Sequence, residues 1–140
     1  MNQVQLIDIA NAKTHIETAL ELEKRFVAHI SNHAVPDNVP TRLNVTGREI
    51  SVPWFALTAT AVGRMVRDGD GDFITEYVFY VPHGDDCVEV WRCYLRPNGR
   101  LSEQVSGDVG VCDHDNKYIA MQICGRVVLG ILNSAVYRPD

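Results

Sequence analysis

Residues 64–104, RMVRDGDGDFITEYVFYVPHGDDCVEVWRCYLRPNGRLSEQ, decide the fold. Three turn signals punctuate this stretch: DGDGD at 68–72, PHGDD at 82–86 and PNG at 97–99. Asp and Gly tolerate positive φ and Pro presets φ, so each cluster marks a chain reversal. The runs between them are rich in β-branched and aromatic residues, which is the pattern of consecutive hairpins.

Side-chain character then sets the register, because a slip of one residue exchanges the two faces of a strand. Pairing Arg67 with Phe73 puts Arg64 opposite Glu76, Gly63 opposite Tyr77 and Ala61 opposite Phe79. Pairing Val81 with Cys87 puts Arg92 opposite Glu76 and Trp91 opposite Tyr77. The third turn pairs Leu95 with Leu101 and brings Arg92 to Gln104. These registers predict a polar outer ladder of Thr58, Thr60, Arg64, Glu76, Arg92, Ser102 and Gln104. The opposite face carries Phe55, Leu57, Met65, Phe73, Tyr77, Phe79, Trp91, Cys93, Leu95 and Val105, and is assigned to the core.

Upstream, Trp54 to Met65 alternates at period two and reads as one long strand. Leu43 to Val52 holds an earlier strand or two, with Thr46-Gly47-Arg48 as the turn. Asn32 to Thr41 is a loop carrying Pro36 and Pro40. Before it, Ile16, Ala19, Leu20, Phe26, Val27 and Ile30 recur at three- and four-residue steps, which predicts an amphipathic helix. Asp8 or Asn11 is its expected cap, and Glu23 is expected at the margin of the apolar stripe. Residues 116–135 are apolar almost all round. They read as a buried helix stopped by Pro139, with a hairpin at Gly125-Arg126 as the rival.

The expected fold is therefore α+β: an N-terminal helix, an antiparallel β-meander of four to six strands and a C-terminal helix, the helices packed on one face of the sheet. The chain has 140 residues, 46% of them hydrophobic, enough for one core and one domain spanning 1–140. Net charge is −5 with scattered Lys and Arg, which argues against a nucleic-acid surface or docking on anionic lipid. The opening MNQVQLIDIANAK has no secretory pattern, and no apolar run reaches the length of a membrane span. A cytoplasmic protein follows, with Cys87, Cys93, Cys112 and Cys124 as reduced thiols.

Motifs add little. DGDGD matches part of a calcium loop, but Phe73 and Phe79 stand where that loop needs glycine and glutamate. Cys112-Asp113-His114-Asp115 and the pair His29 and His33 lack the further ligands a metal site requires, so neither a metal nor another cofactor is expected. Cys112, beside His114, is the only thiol with the context of an activated nucleophile. The most telling oddity is that Glu89 and Glu103 fall on the inner face. A carboxylate there is costly unless it is paired or wet. Either both lie at strand ends beyond the helices, or they mark a pocket between sheet and helices. In the pocket reading Tyr77, Phe79, Glu89, Trp91 and Glu103 form an aromatic, acidic site for a cationic or aromatic small molecule. The alternatives are a homodimeric interaction module using the outer ladder or an edge strand, and a Cys/His-dependent enzyme.

Overall fold

The computed structural model describes residues 6–32, 38–105 and 110–139. Of the features above, His33 and Pro36 lie outside these residues. The chain is α+β: helix α1 (Leu6–Asn32), strands β1 (Asn44–Thr46), β2 (Glu49–Trp54), β3 (Leu57–Val62), β4 (Arg64–Arg67), β5 (Phe73–His83), β6 (Asp86–Leu95), β7 (Arg100–Ser102) and β8 (Gly110–Asp113), then helix α2 (Ile119–Leu132) and a 3-10 turn at Ala135–Tyr137. The strands form one antiparallel sheet in the order β1-β2-β3-β5-β6-β7-β8, and β4 pairs with β5 as well.

Among the described residues eight strands stand where four to six were expected. Two of the additions have plain causes. The long strand read from Trp54 to Met65 is cut at Gly63 into β3 and β4, both pairing with β5. The segment around Cys112, to which no strand was assigned, pairs with β7 as β8. The same long strand also begins too early. Trp54 pairs with Leu57, so Phe55 and Ala56 form a two-residue hairpin turn. Phe55 has φ 53° and is 85% exposed, a turn residue rather than the core residue expected.

The first register holds residue for residue: Arg67 pairs with Phe73 and Arg64 with Glu76. The third holds at Leu95 and Leu101. The second does not. Tyr77 pairs with Cys93 and Glu76 with Tyr94, while beyond a bulge Tyr80 pairs with Glu89 and Pro82 with Cys87. Val90 is left without an opposite residue, and one unpaired residue reverses the parity of everything between it and the turn. Val88 and Val90 consequently pack on the core, and Glu89 turns to the outer face.

Both helices cover one face of the sheet. Phe26 of α1 lies 5.7 Å from the Tyr77 ring, and Ile119, Ile123, Val127 and Ile131 of α2 are buried in the same cluster as Phe79, Val52 and Leu101. Burying side chains of this size contributes roughly 1.5–3 kcal/mol each, so apolar packing, not surface charge, holds the helices down. Residues 116–135 do contain a helix, and Gly130 explains one glycine in it. A Cβ at Gly130 would strike the carbonyl of Val90, whose carbon lies 2.7 Å from that position. The helix meets the bulged strand backbone to backbone.

α1 is already helical at Leu6, before either expected cap. Only its second half packs: Leu22, Glu23, Phe26 and Ile30 are buried, whereas Leu6, Ile7 and Ile9 are 84%, 67% and 56% exposed. Glu23 is not marginal but 4% exposed. Its Oε2 accepts a 2.6 Å bond from the Tyr77 hydroxyl and its Oε1 one of 2.7 Å from Arg48 Nε. Gly63 leaves room for this carboxylate, since a Cβ there would overlap Glu23 Oε2 and press on the Tyr77 ring.

The DGDGD turn is closed by its own first residue. Asp68 Oδ1 accepts from the amides of Asp70 and Asp72, each at 2.9 Å, and Oδ2 accepts from Arg96 Nη2 at 3.1 Å. Burial opposes the Asp68 charge, but the two amides and the Arg96 guanidinium outweigh it and hold this carboxyl below its ordinary value of 3.8. A carboxyl depressed in the folded state stabilises at pH above 3.8 and loses that contribution as pH falls through the folded value. In acid titrations followed by circular dichroism, wild type should therefore lose stability below that pH more steeply than Asp68→Asn. Parallel curves for the two proteins would refute the assignment.

Candidate functional site

Of the five residues singled out from the sequence, Glu89 stands apart from the other four. Tyr77 and Phe79 are each 0% exposed and fill the core. Burial, and then the neighbouring Glu23 carboxylate, push the Tyr77 phenol far above its ordinary range. Glu89 is exposed on the outer face, where both its oxygens pair with Arg92. The bulge at Val90 is the physical reason for this correction of its face. Arg92 also lies 3.8 Å from Glu76, which lies 4.0 Å from Arg64, so the charged centre of the outer ladder exists, although Arg92 reaches Glu76 diagonally, while Ser102 at its end is buried rather than outward-facing.

Trp91 and Glu103 do come together. The Trp91 ring lies 5.8 Å from Phe79, and its Nε1 donates to Glu103 Oε2 at 2.9 Å. Arg126 of α2 donates to the other Glu103 oxygen at 2.6 Å. This trio clips the end of β7 to α2 over the rim of the core. Glu103 is thus neutralised by Arg126, as Glu89 is by Arg92, and neither leaves an unpaired negative charge for a cationic ligand.

Cys93, Cys112 and Cys124 are not activated by their surroundings. Burial, followed by the charge of Asp113, raises the Cys112 thiol, and Arg126 and Arg100 offset this only in part. Burial pushes Cys124 up to about 12 and raises Cys93 as well. The His114 ring is held by a 2.9 Å bond between Nδ1 and the Gly99 carbonyl. His29 bonds through Nε2 to the Asn116 carbonyl at 2.9 Å, fastening the end of α1 to the turn before α2. Among the described residues no three of His, Cys, Asp and Glu gather as a metal site. Among them, too, no helix is long and apolar enough to cross a membrane.

The concave site lies elsewhere, between α1 and the ends of β5 and β6. A groove of about 290 Å³ is lined by His15, Thr18, Ala19, Leu22 and Arg25 on the helix side and by Asp72, Phe73, Leu95 and Pro97 on the sheet side. Leu22 and Leu95 are buried and make an apolar floor. The DGDGD and PNG turns place Asp72 and Pro97 at its lip. Arg67 stacks over the Phe73 ring, 5.1 Å from its centre. Among the described residues neither Arg25 nor Asp72 forms an ion pair. Sequence reasoning had Phe73 and Leu95 in the core and missed the helix wall. The available signal was that His15, Thr18, Leu22 and Arg25 recur at helical steps beside the apolar stripe. A second, more open hollow of about 360 Å³ is lined by Pro40, Thr41, Arg42, Pro53 and Phe55. No protein-family model, curated protein or solved structure matches the chain.

Proposed function

We propose that this chain is a small-molecule binding domain whose ligand lies in the groove between α1 and the ends of β5 and β6. One observation carries the reading: an apolar floor of Leu22, Leu95 and Phe73 is flanked by Arg25 and Asp72, neither of them ion-paired among the described residues. Ligand pockets have this composition, mostly apolar with a few placed polar groups. At about 290 Å³ the groove sits at the small end of such sites, so its ligand is on the scale of a single ring. Its cation is Arg25, with Arg67 behind Phe73, against Asp72 alone, and His15 adds an imidazole to the rim. This balance favours a carboxylate on an aromatic or branched aliphatic body, with the carboxylate on Arg25. The acidic pocket for a cation gives way to this reading because both of its glutamates are already paired.

A thermal-shift screen of aromatic and branched-chain carboxylates, with the matching amines alongside, tests it. Carboxylates should raise the melting temperature; a ligand at a hundred times its Kd adds about 2.7 kcal/mol. Arg25→Gln should weaken binding by roughly tenfold or more, as expected for a lost charge-assisted hydrogen bond. Ala19→Trp should abolish binding by filling the groove. No stabilisation by either chemical series would end the proposal.

A further inference from the structure

The β2–β3 hairpin spends conformational energy on exposing an aromatic ring. Phe55 occupies the left-handed region, φ 53°, where bulky side chains are outliers, and it is 85% exposed. Gly would make this turn without strain. Around it lies a contiguous aromatic patch. Trp54 meets the Phe55 ring edge-on at 4.8 Å and donates its Nε1 to the Tyr137 hydroxyl at 3.1 Å, and Tyr137 is 49% exposed. Beside this projecting ring is the hollow lined by Pro40, Thr41, Arg42 and Pro53, with Phe55 on its lip. The hydrogen bond from Thr41 Oγ1 to the Pro53 carbonyl holds the two walls of the hollow together.

We infer that Phe55 and the adjacent hollow are the two halves of an isologous interface, through which two copies of this chain associate, each Phe55 seated in the other's hollow. A two-fold axis requires a patch that complements itself, and a knob next to a hole is that condition. The hollow, at about 360 Å³, has room for a phenyl ring. The area fixes the strength. Each aromatic knob of roughly 200 Å² covers a similar area of hollow, and two of each bury on the order of 800 Å² in total. Stable complexes bury about 1,200–2,000 Å², so the pair is weak and reversible, forming at high micromolar to millimolar concentration. The inference is independent of the ligand groove, which lies on other elements.

Sedimentation equilibrium over a concentration series decides it. Wild type should shift toward dimer mass across that range. Phe55→Gly, which suits the positive-φ turn, should stay monomeric at every concentration while its melting temperature is unchanged or higher. Pro40→Trp, which fills the hollow and leaves the knob, should also be monomeric. Mixed in equal amounts, the two variants should associate again, more weakly than wild type, because one knob then meets one open hollow. A wild type that stays monomeric at millimolar concentration, or a Phe55→Gly protein that still dimerises, would overturn the inference.

Discussion

Replacing Gly130 by alanine should destabilise the protein by about 3 kcal/mol or more, lowering its melting temperature by on the order of 10 °C. The added methyl has nowhere to go. It meets the backbone of Val90, not the end of a flexible side chain, so relief requires α2 to move off β6. That movement opens the cluster in which Ile123, Val127 and Ile131 are buried. The same change at Gly125, in the same helix, is the control. No atom lies within 4 Å of a Cβ there, so only helix propensity acts. Gly125→Ala should stabilise by roughly 0.5–1 kcal/mol. Chemical denaturation of both variants measures the contrast, and equal effects at the two sites would show that the close approach of α2 to β6 is not what Gly130 is for.

The second large effect is expected at Glu23. Glu23→Ala removes both partners' acceptor at once, leaves the buried Tyr77 hydroxyl unpaired and opens a void under α1, for a loss of about 3 kcal/mol or more. Tyr77→Phe should cost less, about 1–2 kcal/mol, because Glu23 keeps Arg48. A double-mutant cycle between the two positions should give a coupling of roughly 1–3 kcal/mol. Glu23→Ala behaving like an exposed substitution, within about 0.5 kcal/mol of wild type, would refute the buried cluster.

These two sites also show where the sequence was readable. The first hairpin could be aligned because DGDGD fixes the turn and Arg64 and Glu76 then fall opposite each other. The third followed from PNG and its flanking leucines. The second failed at Val90 because a bulge leaves no local mark: Val-Glu-Val-Trp alternates as well with the extra residue as without it. Its clue is remote, in the glycine of α2 that accommodates the bulged backbone. Glu23 was misplaced for a similar reason. A glutamate on an apolar stripe looks like its edge until Tyr77, Arg48 and Gly63, all distant in sequence, are brought around it. Phe55 was taken for a strand residue because nothing in Trp-Phe-Ala-Leu carries turn chemistry. Of the groove only the helix wall was legible, in the recurrence of His15, Thr18, Leu22 and Arg25; its place depends on where α1 crosses the sheet, which parity within strands does not determine.

α1 is a rod of about 40 Å at 1.5 Å per residue, fastened along only its second half. Its turns therefore live under two regimes. Amides around Phe26 open only when the body of the molecule does, whereas those around Ile9 depend on the intrinsic cohesion of a short solvated helix, which is slight. One continuous element by geometry is two by cooperativity, and His15 and Thr18, at the mouth of the groove, stand at the seam between them.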